Sequence, residues 1–253
     1  MQILLANAKI MYEKADRKPL STPLFQSTAD TLANEMARMD VKELTRQLDC
    51  NPKIAAENWK RYQNFHIAEK MPAILAYNGQ AYKHLRANTL SEEALAYAQG
   101  HLWITCFLYG LLRPLDGIVP YRMEHCVSLE ATQDKPIHQF WKDKLTQVLI
   151  DSTKADDGTL IHLSTEEYEH LFDWKRVCRE VKVVHPLFYV RQKDGGLKMQ
   201  AVWAKSCRGA MTRIILNNRP VTPQELAAFS YEGFEYAPQL GEELFPHFIR
   251  EAY

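Results

Sequence analysis

Apolar positions recur along this chain at two spacings, one suited to strands and one to helices. Gln2 to Ala8 is a short apolar run and predicts a buried first strand. Thr28 to Met39 sets Leu32, Met36 and Met39 at helical spacing, and Asp40 is placed to cap a following helix with Val41, Leu44 and Leu48 on one face. Asn51-Pro52 reads as a helix start, with Asn as the cap and Pro at the first helical position; that helix runs on through Ile54, Ala55, Trp59 and Tyr62. Ala73 to Tyr77 predicts a second strand, ended by Asn78-Gly79, and a helix with Tyr82 and Leu85 follows. Ser91 caps a long helix predicted from Glu92 to Leu108, with apolar positions at Leu95, Ala98, Leu102 and Phe107.

The second half is patterned in the same mixed way. Pro136 to Ile150 is amphipathic at helical spacing, through Ile137, Phe140, Trp141, Leu145 and Leu149. Leu160 to Leu163 predicts a strand, and Thr165 a helix cap. Glu180 to Arg191 and Leu197 to Lys205 flank Asp194-Gly-Gly196, which predicts a hairpin. Ser206 to Asn218 reads as a helix, Thr222-Pro-Gln-Glu225 as a capping box, Phe234 to Tyr236 as a strand, and the C-terminus as a short helix. Strands and helices do not alternate regularly, and no repeat or Pro/Gly/Ser linker divides them. The expectation is a single α+β domain over residues 1–253.

Composition narrows the classes. With 46% hydrophobic residues in 253, the chain can bury a sizeable core. Lys+Arg and Asp+Glu both total 31, so net charge gives no sign of a protein that coats nucleic acid, although a local basic patch stays open. The five cysteines form no CxxC pair and no zinc spacing, which fits free thiols in a reducing compartment. The N-terminus is too short for a signal peptide and no run approaches membrane-helix length, so a soluble, intracellular protein without a membrane partner is expected. The chain has no GxGxxG, no phosphate loop, no HExxH and no GxSxG; neither a cofactor nor a catalytic motif is indicated.

The candidate chemistry gathers in Leu108 to Glu124. Helical character stops at Gly110 and Pro114, and sixteen residues hold Tyr109, Arg113, Asp116, Tyr121, Arg122 and Glu124. Charges set among apolar residues need partners. The stretch is therefore either a buried ion-pair turn or a wall presenting cations to an anion. Lys9 after the first strand, and Lys205, Arg208 and Arg213 around the last long helix, extend the second reading if the elements converge, with Lys205 and Arg208 placed at that helix's start. Glu167 joins Asp116 and Glu124 as an ion-pair partner or acid/base group. His162 and His185 read as ordinary strand histidines, with no two-His-one-carboxylate spacing in sequence.

The chain resembles the YaaA family of peroxide-stress proteins. The motifs are Leu108-Tyr-Gly-Leu-Leu-Arg-Pro-Leu-Asp116, Pro120-Tyr-Arg-Met-Glu124, Phe140-Trp141, Glu167-Tyr168, Ala204-Lys205 with Arg208-Gly209 and Arg213, and Glu232-Gly233. The resemblance implies a cytoplasmic α+β protein with a basic cleft and a helix-hairpin-helix element, active in resistance to hydrogen peroxide. It implies binding to double-stranded DNA, protection of DNA and proteins by limiting unincorporated iron, and no established reaction; a monomer is expected. The helix-hairpin-helix falls on Val41 to Tyr62, through Asn51, Lys53, Asn58 and Arg61, with Asn51-Pro52 where such hairpins carry glycines. Lys9, Arg113, Arg122, Lys205, Arg208 and Arg213 become the DNA or anion contacts, and Asp116 and Glu124 the carboxylates that hold arginines in place. The alternative is an enzyme acting on a nucleotide or phosphorylated ligand, with Asp116, Glu124 or Glu167 as acid or base and Tyr109 or Tyr121 against a base. Departures from the family pattern are Ala6-Asn-Ala-Lys9, Gln80 after Gly79, and Ser164-Thr-Glu166.

Overall fold

The computed structural model describes residues 1–251. β1 (Gln2–Ala6) is followed by three helices, α1 (Gln26–Arg38), α2 (Val41–Gln47) and α3 (Pro52–Gln63). A short strand, β2 (Met71–Pro72), runs into α4 (Ala73–Ala76) and α5 (Gln80–Leu85). α6 (Glu92–His101) leads directly into β3 (Leu102–Cys106), and β4 (Gly110–Leu112) and β5 (Gly117–Ile118) follow. Next come α7 (Ile137–Lys154), β6 (Thr159–Leu163), α8 (Glu166–Glu169), α9 (Trp174–Glu180), β7 (Lys182–Val184), β8 (Leu187–Arg191) and β9 (Leu197–Lys198). The last elements are α10 (Ala201–Asn218), β10 (Ser230–Tyr231), β11 (Phe234–Glu242) and β12 (Phe245–Glu251).

The fold is α+β, built on two five-stranded sheets. The first has the order β4-β3-β1-β6-β7; β1 lies between β3 and β6 and is parallel to both, and only β4 runs antiparallel. The second has the order β10-β11-β12-β8-β9 and is antiparallel except where β12 runs beside β8. β2 and β5 form a separate antiparallel pair. The chain leaves β1 toward β3 on one side, then returns to β6 on the other. Such a reversal opens a crevice beyond the carboxyl ends of the central strands.

Local chemistry explains most boundaries. Asp40 accepts a hydrogen bond from Glu43 N at 2.8 Å and Asn51 one from Ile54 N at 3.0 Å, so both predicted caps start helices. Gly110 sits at φ 71°, where a side chain is strained, and an added Cβ would also meet Leu145 and Trp141 of α7. Trp141 is buried there and donates from Nε1 to Phe107 O at 2.7 Å, tying α7 to the β3–β4 turn. Gly209 of α10 lies so close to α5 that an added Cβ would fall 1.9 Å from Ala81 O.

Five expectations need correction. Ala73–Ala76 is a helical turn rather than a strand. The long helix predicted to Leu108 ends at His101, and Leu102–Cys106 is the strand β3, buried at every position. A run buried on both faces loses the alternation that identifies a strand. The second arm of the Asp194-Gly-Gly196 hairpin ends at Lys198, and α10 begins at Ala201, so Lys205 and Arg208 stand within the helix rather than at its start. Trp174–Glu180 is a helix that the reading from Glu180 onward overlooked. The C-terminal segment is β12, not a helix; Ala252 and Tyr253 lie outside the described residues.

Candidate functional site at the carboxyl ends of the parallel strands

Asn7 and Lys9 follow β1, Cys106 ends β3, and Ser164, Glu167 and Tyr168 follow β6, so the topology collects them at one edge of the first sheet. The segment Tyr121–His125 crosses this edge. Lys9 Nζ donates to Glu124 Oε2 at 2.7 Å, and Arg122 Nη2 makes an ion pair with Glu124 Oε1, also at 2.7 Å. Glu124 is buried, while the Lys9 side chain keeps 52% of its exposure. One buried carboxylate thus anchors two cations, and Lys9 retains donors that point to solvent. Beside it, His125 Nδ1 lies 3.8 Å from Glu167 Oε1, and both residues are exposed.

Behind the charges lies a hydrogen-bonded layer of phenols. Tyr168 donates to Asn7 Oδ1, Asn7 Nδ2 donates to Tyr121 Oη at 3.2 Å, and Tyr121 and Tyr77 share a hydroxyl contact at 2.8 Å. Tyr62 donates to Arg122 O at 2.6 Å and Tyr82 to Ala6 O at 3.0 Å. Burial pushes the phenols of Tyr77, Tyr121 and Tyr168 well above the usual tyrosine range, and the Cys106 thiol up to about 11. These groups stay neutral near pH 7 and serve as hydrogen-bonding partners that fix the edge, not as proton carriers.

The sequence-predicted residues divide into several places. Lys9, Arg122, Glu124, Glu167 and Tyr121 come together at this edge, with Tyr109 in edge-to-face contact with Tyr121 at 5.5 Å. Arg113 lies at the opposite end of the same strands. Its guanidinium reaches Gln2 Oε1 and Leu102 O, each at 3.2 Å, and stacks over Trp103 at 3.4 Å; burial lowers its pKa to about 10. Asp116 is buried there too and accepts from Arg113 N and Ser21 Oγ, each at 2.7 Å; it holds the backbone of Arg113 rather than its guanidinium. Arg213 caps α5 through Leu85 O and Arg86 O, Lys205 is exposed on α10, and Arg208 is buried near His162 and His185.

The α2–α3 pair is joined by a short turn that carries Asp49 at φ 42°. The side chain of Asn51 is spent on capping α3, Asn58 is buried and donates to Ile54 O, and Arg61 pairs with Glu13 and Glu57, each at 2.6 Å. Lys53 is exposed.

A cleft of about 720 Å³ opens next to the phenol layer, with Tyr77 and Tyr82 in its wall. It is also lined by Lys14, Lys83 and Arg86, all exposed, by the exposed Asp16, and by Arg17, which is paired with Glu92 at 2.5 Å. Sequence reasoning missed these cations, as well as Asn7, Tyr77 and His125. Lys14, Lys83 and Arg86 belong to segments joined only by the fold, through Ile10 O accepting Asn78 N at 2.8 Å. Asn7 did carry a signal, as a polar residue directly after an apolar strand.

An α+β protein with a charged edge at a strand-order reversal and a tyrosine layer beneath it is a fold-and-site class rather than a function. The chain belongs to the family described as peroxide stress protein YaaA, whose model matches residues 1–240. It is 45% identical to a UPF0246 protein of Bacteroides fragilis, covering 96% of both chains. It is 41% identical to a UPF0246 protein of Porphyromonas gingivalis, covering 99% of this chain and 100% of that one. A UPF0246 protein of Cereibacter sphaeroides is 34% identical over 92% of this chain and 90% of its own. Among the described residues, no helix is long and apolar enough to cross a membrane.

Proposed function

We propose that this peroxide-stress protein binds the backbone of double-stranded DNA along the cleft beside the first sheet. The observation that carries the reading is the set of exposed cations around it. Lys14, Lys83 and Arg86 line the cleft, and Lys9 stands one residue from Ile10, whose carbonyl holds the lining residue Asn78. The Arg61–Glu13 ion pair fastens the last turn of α3 to the residue preceding Lys14, so the C-terminal end of the helix pair of residues 41–63 adjoins the same surface. Cations without base-reading geometry supply affinity with little sequence preference. In this reading the protein acts in the cytoplasm as a monomer and protects DNA and proteins by limiting unincorporated iron; its family relationship supports the peroxide-stress role.

Fluorescence anisotropy with a labelled duplex tests the proposal. Affinity should fall steeply between about 50 and 200 mM salt, and a variant with Lys14, Lys83 and Arg86 all changed to Gln should lose slope by about 0.9 per phosphate contact removed. No binding at low salt, or an unchanged slope in the triple variant, rejects it. The second reading, an enzyme acting on a nucleotide or phosphorylated ligand, is favoured by one observation, the exposed His125–Glu167 pair near Lys9 and Glu124. Turnover that disappears in Glu167→Gln while DNA affinity persists would select it.

A further inference from the structure

A second cluster of titratable side chains lies away from the cleft, and the DNA reading uses none of it. His162 stands on β6 and is fully buried. Glu169 ends α8. His185 follows β7 and precedes Pro186, where the chain passes from the first sheet to the second. His162 Nε2 is 2.9 Å from Glu169 Oε1, and the imidazole rings of His162 and His185 are 4.3 Å apart. One ligand atom from each of the three residues lies within 4.8 Å of the other two. Donors that share one metal ion at bond lengths of about 2.1 Å stand about 3–4 Å apart, so a small closure suffices.

A further observation points to a missing ligand. His185 Nε2 is buried with no hydrogen-bond partner, as is Arg208 Nε beside it. Buried polar nitrogens are rarely left in that condition. Trp174, with its ring 4.6 Å from His162, and Phe245, 6.3 Å from His185, set apolar surface against the cluster.

We propose that His162, Glu169 and His185 form a three-ligand site for one divalent transition-metal ion. Two nitrogens and one carboxylate oxygen suit the iron-to-zinc part of the series and leave coordination positions open. His162 would ligate through Nε2, the nitrogen that faces Glu169, with its proton on Nδ1. Arg208 is buried beside the cluster and adds positive charge there, which disfavours a bare cation. Its place suits an anionic co-ligand, such as a carboxylate, in one of the open positions.

The test is a titration of the metal-stripped full chain with Co2+, followed by visible absorption and by quenching of tryptophan fluorescence, since Trp174 adjoins the site. The expected result is one Co2+ per chain. Glu169→Gln and His185→Asn should each weaken uptake at least tenfold, whereas Glu167→Gln, in the separate Glu124–His125–Glu167 group, should bind as the parent does. His162 is buried and its replacement risks misfolding, so the two less buried ligands carry the test, with circular dichroism confirming their fold. As a second readout, Zn2+ should raise the melting temperature of the parent and not that of either variant. Absence of stoichiometric Co2+ uptake, undiminished uptake in both ligand variants, or loss in Glu167→Gln overturns the proposal. Uptake is measured without DNA, so failure here and failure of the DNA reading are separate results.

Discussion

Lys9 and Glu124 are 115 residues apart in the chain and meet at 2.7 Å, with the lysine half in solvent and the carboxylate buried. The pair is asymmetric, and so are its mutants. Lys9→Met should cost less than about 1 kcal/mol, because its ammonium is exposed and screened. Glu124→Ala strands Arg122, whose side chain is only 18% exposed, and should cost about 3 kcal/mol or more. Urea unfolding of both variants checks the ordering; equal costs would contradict it.

Arg113 is a structural cation. It stacks on Trp103 and bonds to the first residues of β1 and β3, at the far end of the sheet from Lys9. Arg113→Ala should therefore destabilise the fold by about 2 kcal/mol while leaving duplex affinity unchanged at moderate salt. Arg113→Lys should recover only part of the loss, since an ammonium cannot reproduce the planar stack. A drop in DNA affinity with stability intact would return Arg113 to the ligand.

Two helix glycines should respond in opposite directions. Gly209→Ala forces a methyl into the carbonyl of Ala81 and separates α10 from α5, at a cost of about 3 kcal/mol or more. Gly100, on α6, has open space around its Cβ position, and Gly100→Ala should stabilise by about 0.5–1 kcal/mol through helix propensity. Thermal melts of the pair provide the comparison.

Acid sensitivity has a local contribution at Glu180, which takes hydrogen bonds from Lys154 and Arg176, each at 2.7 Å. These donors lower its pKa to about 2. A depressed carboxylate adds stability above its unfolded pKa, near 4.5, and that share is lost as pH falls toward about 2. Glu180→Gln should accordingly bring the stabilities measured at pH 6 and pH 2.5 closer together, by less at high salt because the group faces solvent. An unaltered pH difference at low salt would show that the ion pairs carry no net stability.

What the sequence made legible followed from local chemistry. Asp40 and Asn51 marked their helices because a side-chain oxygen satisfies an end amide wherever the helix goes. Arg122 and Glu124 could be marked as candidates because charge set among apolar residues demands a partner, and they pair with each other. β3 was read as helix because Leu102 to Cys106 is buried on both faces and shows no alternation. Arg113 and Arg122, nine residues apart, looked like one wall, yet the segment between them, which includes β5, carries the chain from one end of the sheet to the other. The histidine–carboxylate cluster was hidden for a related reason: Glu169 and His185 are brought to His162 by α8 and by the parallel pairing of β7 with β6, neither of which leaves a fixed spacing.

β12 lies inside the second sheet, between β11 and β8, although it is the last strand in the chain. During synthesis β8, β9, β10 and β11 all leave the ribosome before the strand that joins them. The sheet must therefore close after translation of its final residues, with β8 waiting unpaired on that side. The carbonyl of Leu244, just before β12, accepts from His185 N at 2.7 Å. The histidine joint between the two sheets is thus completed in the same step that docks β12 between β11 and β8, and until then those two strands each carry an unpaired edge.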